Sequence, residues 1–70
     1  MEKKNKDLLK LTKLLKHWAD HNESHKESFI KWRDIAQNNG LKNIGDYLSK
    51  SIEKMDESTH YLLKAHEELK

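Results

Sequence analysis

The sequence contains no cysteine, no proline and no valine, and only two of its 70 residues are glycine. The absence of cysteine excludes disulfides, thiolate zinc sites, iron–sulfur clusters and cysteine nucleophiles. A composition without proline or valine and with little glycine favours helices over sheets and long loops. We therefore expect an all-α protein.

Hydrophobic residues are also scarce, at 34% of the chain against 37% for charged residues. Folding must offset about 1.5 kcal/mol of conformational entropy for each ordered residue, and a core this small barely does so. We therefore expect a single helical domain over residues 1–70 that is stabilised by a partner chain or a bound ion. The expected assembly is a homo-oligomer, and specifically a homodimer.

Long apolar runs are absent as well. No window approaches the 18 or so apolar residues of a membrane span, and the N-terminus lacks the apolar stretch of a signal peptide, so we expect a soluble, cytoplasmic protein. The net charge of +2 is too small to predict binding to nucleic acid. The segment Lys3–Lys16 has the form of a basic amphipathic helix for an anionic membrane. Its leucines are also needed for helix packing, so we expect no membrane association.

Large side chains recur at alternating spacings of three and four residues through the first half of the chain. This pattern predicts a helix over about residues 5–38, ended by Asn38-Asn39-Gly40 with Gly40 in the left-handed conformation. The stripe consists of Leu8, Leu11, Leu15, Trp18, Asn22, His25, Phe29, Trp32 and Ala36. A second row widens it on one flank and consists of Leu14, His21, Ser28 and Ile35.

After a turn at about residues 39–41, a second stripe predicts a helix over about residues 42–69. Its members are Leu41, Ile44, Leu48, Ile52, Met55, Thr59, Leu62, His66 and Leu69. We expect an antiparallel hairpin in which residues whose numbers sum to about 81 lie side by side, because both arms rise equally. Two hairpins would form a four-helix bundle. Ser24-His25-Lys26-Glu27 has the form of a capping box, so the alternative is a three-helix bundle with a break near Ser24.

Five histidines carry most of the functional information in this short chain. His17, His21 and His25 are spaced four residues apart, so they form a row along one side of the first helix. At about 100° per residue, His25 lies near the centre of the apolar stripe and His21 at its margin. On the second helix His66 lies at the centre of its stripe, whereas His60 faces water. We therefore expect His25 and His66 to face inward.

Two imidazoles on adjacent turns of a helix can bind one transition-metal ion. We therefore expect a site for Zn, Ni, Co or Cu, the divalent metals that imidazole suits. The candidate ligands are His17, His21, His25 and His66. In the hairpin, further donors come close to them: Glu67 beside His17 and His66, and Met55, Asp56 or Thr59 beside His21 and His25. A dimer could bring two copies of either cluster together, which would make assembly and metal binding one event.

A purely structural role is the alternative. Polar residues facing each other across a helical seam commonly set register and partner number without any ligand. Here that layer consists of His21, Asn22, His25, Ser58 and Thr59. The alternative function is therefore a structural or protein-interaction module.

Two further classes of function find little support. Haem would need two inward histidines such as His25 and His66, but the chain has no attachment motif, so we expect none. The serines lack a strand-to-helix elbow or an oxyanion loop, and no phosphate-binding loop is present. We expect no enzyme activity.

The segment from His17 to His25 reads H-W-x-x-H-N-x-x-H and is followed by Phe29 and Trp32. This pattern resembles that of a small group of prokaryotic helical-hairpin proteins that have no settled activity. The resemblance extends over about residues 11–69, including the turn and the second stripe. It implies the hairpin and the grouping of three histidines, and it implies no substrate or reaction.

Overall fold

The computed structural model describes residues 2–69, with side chains from residue 6 onward. Two α-helices, α1 (Glu2–Asn38) and α2 (Lys42–Glu68), pack against each other as an antiparallel hairpin. The molecule is 57 Å long, which matches the length of about 55 Å expected for a helix the size of α1. Within the described residues, neither helix has the apolar stretch that a bilayer-spanning helix needs.

The all-α hairpin predicted from the sequence is confirmed. α1 passes through Ser24 without a break, so the alternative three-helix bundle is wrong. α1 begins at Glu2 rather than at about residue 5, and α2 ends at Glu68. Of the basic segment Lys3–Lys16, the side chains of residues 3–5 lie outside the described part of the chain.

The turn between the helices is closed by Gly40, whose φ of 76° is left-handed. The amide of Leu41 donates to the carbonyl of Ala36 at 2.9 Å, and the amide of Gly40 donates to the carbonyl of Gln37 at 3.1 Å. These two bonds form a Schellman motif, which satisfies carbonyls that the end of α1 leaves free. The predicted conformation of Gly40 is confirmed. Any other residue there would pay about 1–2 kcal/mol for the left-handed backbone.

Gly45 has a different role, because it makes room for a close approach between the helices. A Cβ atom at Gly45 would lie 2.6 Å from Cγ of Gln37, well inside van der Waals contact. The first turn of α2 therefore packs directly on the last turn of α1. This explains why a residue of poor helix propensity lies inside α2.

Two contacts across the seam define how the helices are aligned. Nδ2 of Asn22 donates to Oγ of Ser58 at 3.2 Å, and Nζ of Lys26 forms an ion pair with Oδ1 of Asp56 at 2.8 Å. The residue numbers of these pairs sum to 80 and 82. The predicted register is confirmed.

The side of α2 that packs on α1 is the predicted one: Ile52 and Thr59 are buried, and Leu48, Met55, Leu62 and His66 are half-buried. On α1 the packed side differs from the prediction. The residues of α1 turned toward α2, here called the covered face, are Thr12, Leu15, Ala19, Asn22, Lys26, Phe29, Arg33 and Ala36. Their mean direction lies about 40° around the helix from the predicted stripe.

The physical reason for this rotation is the size of the side chains. Ala19 and Ala36 are 2% and 6% exposed, and such small residues let two helix backbones approach closely. Trp18 and Trp32 lie beside the seam and stay 43% and 56% exposed. The helix pair therefore buries the small residues of α1 and leaves much of its aromatic surface open.

Candidate metal centre

His21 and His25 bring two potential metal ligands into contact. Their Nε2 atoms are 2.8 Å apart, and their ring centroids are separated by 4.4 Å at an interplanar angle of 63°. At this distance one imidazole donates its Nε2–H and the other accepts with a bare Nε2. Two nitrogen atoms thus converge on one point at the surface of α1.

The helix itself produces this arrangement, because side chains four residues apart lie over each other on successive turns. The row continues in both directions: the ring of His17 is 5.9 Å from that of His21, and the ring of Phe29 is 6.4 Å from that of His25. The predicted row of three histidines is therefore confirmed. Within it, His21 and His25 are the two that touch.

The spacing of the pair suits a metal ion. With metal–nitrogen bonds of about 2.05 Å, two nitrogens 2.8 Å apart would subtend an angle of about 86° at the ion. This is close to the angle of about 90° between neighbouring ligands in square-planar and octahedral sites. A tetrahedral site needs about 3.3 Å between nitrogens, so a movement of about 0.5 Å would provide it.

The expectation that His25 faces inward is wrong. His25 and His21 are both exposed, because the covered face of α1 is turned away from them. His66 is half-buried as its stripe predicted, but it lies elsewhere. It lines a groove with Lys16, His60 and Glu67.

Within the described residues, the two predicted ligand clusters are therefore not assembled in one chain. Across residues 2–69, no group of three or more histidine, aspartate or glutamate side chains is placed to hold a metal ion. Two of the metal ligands expected beside His21 and His25 have other roles between the helices. Asp56 forms an ion pair with Lys26, and Thr59 is buried. What one chain offers is a site of two nitrogens.

The surface around the pair is apolar and open. Trp18 and Trp32 flank the two histidines along the exposed side of α1. The sequence indicates such a surface, since the flanking row and the main stripe together are too wide for one neighbouring helix. A stripe of that width has room for two seams.

A protein-family model matches residues 11–69, which include the histidine row, the turn and α2. The family is described as a domain of unknown function, DUF8180. The chain belongs to this family. No curated protein and no solved structure matches it. The description of DUF8180 names no activity or ligand.

Proposed function

We propose that this protein binds a divalent transition metal through His21 and His25, in a cytoplasmic role of storage, delivery or sensing. The observation that carries the proposal is the contact of 2.8 Å between their Nε2 atoms. Two ligands held this close by a continuous helix require little reorganisation before an ion binds, which lowers the entropic cost of binding. The protein acts in this proposal as a homodimer and not as an enzyme.

The protonation states of the pair also favour this function. In the hydrogen-bonded pair one ring carries its proton on Nε2, and a metal requires both Nε2 atoms to be bare. The donating ring meets this requirement by moving its proton to Nδ1, which is a change of tautomer and not of charge. Acid opposes binding because the ligands must be neutral, so metal affinity falls as pH decreases.

The donor set narrows the choice of metal. Without thiolates the site consists of imidazole nitrogens, which suit Zn, Ni, Co and Cu. Among divalent ions, nitrogen sites generally bind Cu²⁺ most tightly, and the angle of about 86° agrees with its tetragonal preference. We expect the order Cu²⁺ above Ni²⁺ and Zn²⁺, with Co²⁺ weakest.

Calorimetric titration of the metal-free protein with each of the four ions tests the proposal. Saturable binding at micromolar strength or tighter is expected for the wild type, and it should be lost in the double variant His21→Ala/His25→Ala. His60→Ala is the matched control. His60 is an exposed histidine on α2, and its ring packs against the ring of Tyr61. Absence of saturable binding in the wild type, or equal loss in His60→Ala, would refute the proposal.

A second candidate function rests on a separate observation, the hydrogen bond from Asn22 to Ser58 across the seam. A polar contact inside a helical seam can set register and partner number, which supports a structural or protein-interaction module. The variant Asn22→Leu/Ser58→Ala distinguishes the two candidates. If the layer specifies assembly, this variant should change the number of chains in sedimentation while leaving metal binding intact.

A further inference from the structure

We infer that a second copy of this chain completes the metal site. In this arrangement two α1 helices pack antiparallel about a two-fold axis that passes between His21 and His25, so four imidazoles meet at the axis. The inference rests on the proposed function and adds the partner, its orientation and the remaining two ligands. It begins from the fact that, among the described residues of one chain, no third metal ligand joins the two nitrogens of His21 and His25.

The exposed side of α1 has the pattern of a second helix-packing seam, here called the outer face. Its positions are spaced by three and four residues in strict alternation, which is the heptad pattern of coiled coils. They are Leu11, Leu14, Trp18, His21, His25, Ser28, Trp32 and Ile35. The outer face lies about 100° around α1 from the covered face. Helices of a four-helix bundle contact two neighbours in nearly this way.

The outer face is open in the hairpin. Trp18, Trp32, Leu11 and Ile35 are between 37% and 56% exposed. On the same side, a groove between the helices is lined by Phe29 of α1 together with residues of α2, including Met55. An apolar surface of this extent on a soluble helix pair indicates a protein partner.

The order of residues on the outer face favours a second copy of the chain. The seam is centred on position 23, so an antiparallel copy places residues whose numbers sum to 46 opposite each other. His21 then faces the second copy's His25, and the bulky Trp18 faces the small side chain of the second copy's Ser28. Leu14 meets the second copy's Trp32 in the same register. A self-complementary pattern of this kind is what a two-fold interface requires.

Charge selects the antiparallel orientation of the two α1 helices. Residues 1–17 carry six lysines against two acidic residues, a net charge of +4. Parallel α1 helices would place these two basic segments side by side, whereas antiparallel helices keep them at opposite ends of the bundle. The repulsion between like charges falls with distance and is screened by salt.

The available area also agrees with a dimer. The outer face spans about 36 Å from Leu11 to Ile35, and the side of a helix pair is about 20 Å wide. This gives about 700 Å² on each chain, close to the roughly 800 Å² per partner that stable interfaces bury. The four histidines at the centre would then satisfy the four-coordinate preference of Zn²⁺ or Cu²⁺.

The first test combines calorimetry with sedimentation, using Zn²⁺ as the probe. The wild type should bind one Zn²⁺ per two chains, and Zn²⁺ should increase the dimer fraction. Trp32→Glu should raise the dimer dissociation constant at least tenfold while leaving the helical content unchanged. Leu63→Glu is the matched control, because Leu63 is an apolar residue of α2 that is 41% exposed and lines the other groove, with Lys16 and His66; it should leave the dimer dissociation constant unchanged.

The second test measures the orientation of the helices with spin labels. The chain has no cysteine, so Lys10→Cys and Lys31→Cys each introduce one unique labelling site, both on the same flank of α1. In the antiparallel dimer, the separation between labels along the axis is about 24 Å for position 31 and about 39 Å for position 10. In a dimer with parallel α1 helices it would be equal at both positions.

The outcomes separate this inference from the proposed function. Binding of one Zn²⁺ per chain without dimer formation would refute the dimeric site. It would still agree with metal binding by His21 and His25. Equal label separations overturn the antiparallel arrangement in the same way. Absence of saturable Zn²⁺ binding overturns the proposed function, and the four-histidine site with it. One Zn²⁺ per dimer together with unequal separations supports both.

Discussion

The covered face and the outer face of α1 differ in the size and polarity of their side chains. The covered face contains Ala19 and Ala36 with a polar contact at Asn22 and an ion pair at Lys26. The outer face contains both tryptophans and the two histidines whose Nε2 atoms touch. The hairpin is thus built on the smaller and more polar side of α1, and both tryptophans remain exposed.

This difference indicates that the helix packing and the proposed metal binding use separate sides of one helix. Small residues bring α1 and α2 together, and the register depends on contacts such as Asn22 with Ser58. The proposed ligands His21 and His25 are exposed beside that seam, so exchanging them should leave the hairpin folded. The following predictions test this separation, from the largest expected effect to the smallest.

Replacing Leu15 should destabilise the hairpin far more than replacing Leu11, one turn away. Leu15 lies on the covered face and is 7% exposed, whereas Leu11 on the outer face is 39% exposed. Leu15→Ala should lower the free energy of unfolding by about 2–4 kcal/mol, because it removes a buried side chain and leaves a cavity. Leu11→Ala should cost under about 1 kcal/mol. Urea unfolding measures both losses, at protein concentrations low enough for the chain to be monomeric. Equal losses of unfolding free energy would contradict the assignment of the two faces.

The close approach of the two helices next to the turn can be tested by substituting Gly45 and Gln37. Gly45→Ala should gain about 1 kcal/mol of helix propensity, but in the wild type the new Cβ meets Cγ of Gln37 at 2.6 Å. We therefore expect Gly45→Ala to lower the thermal midpoint in the wild type. In the Gln37→Ala background it should instead raise the free energy of unfolding by about 1 kcal/mol. The same sign in both backgrounds would show that the helices are not in close contact there.

The side of α2 that packs on the covered face contains a polar atom that does not gain from its burial. Among the described side chains, Oγ1 of Thr59 is buried without a hydrogen-bond partner. Thr59→Val keeps the shape and removes the unpaired hydroxyl, so it should raise the free energy of unfolding by about 1 kcal/mol. Thr12→Val is the control, because Thr12 donates to the carbonyl of Leu8 at 2.8 Å. Thermal unfolding of the two variants should give opposite signs.

The smallest effect is expected from the ion pair between Lys26 and Asp56. The hydrogen bond to Asp56 raises the pKa of Lys26 above its ordinary value of 10.5; burial acts against this rise, and the charges of Asp56 and Glu23 support it. A raised folded-state pKa contributes stability that is fully present below 10.5 and is lost as pH rises through the folded value. The wild type should therefore exceed Lys26→Met in thermal midpoint at pH 8.

Above the ordinary pKa of lysine, this difference between the wild type and Lys26→Met should shrink. Asp56→Asn removes the other partner of the ion pair. The difference in thermal midpoint between the wild type and Asp56→Asn should therefore also shrink above the ordinary pKa of lysine. A difference that stays constant from pH 8 into the alkaline range would mean that the ion pair does not form in solution.

Much of the fold is predictable from the sequence, because it depends on local residue patterns. The three-four spacing on α2, the left-handed Gly40 and the register near 81 depend on helix geometry and turn chemistry alone. The structure agrees with all three, as the contacts of Asn22 with Ser58 and of Lys26 with Asp56 show. Such features are predictable because each involves residues whose relation is set by the chain itself.

The side of α1 that packs on α2 was not predictable in the same way. Hydrophobicity placed Trp18, His25 and Trp32 at the centre of the stripe, but steric fit placed Ala19 and Ala36 in the seam. Two helices pack where their backbones approach closely, which depends on both surfaces and not on one. For the same reason the sequence grouped His17, His21 and His25 but did not show that His66 would lie in a separate groove.

The turn at Gly40 has a consequence for how such a molecule can be attached to something else. Because the chain reverses within a few residues, both ends of the hairpin lie on the same side of the histidine pair. Leu69 packs beside Thr12, about 16 Å from the pair along the axis, and Glu2 lies about 15 Å further out. A tether fixed to either end would leave the ligands clear. In the antiparallel pair the two tethering tips would point in opposite directions, so the dimer would form a straight connector with its ion at the midpoint.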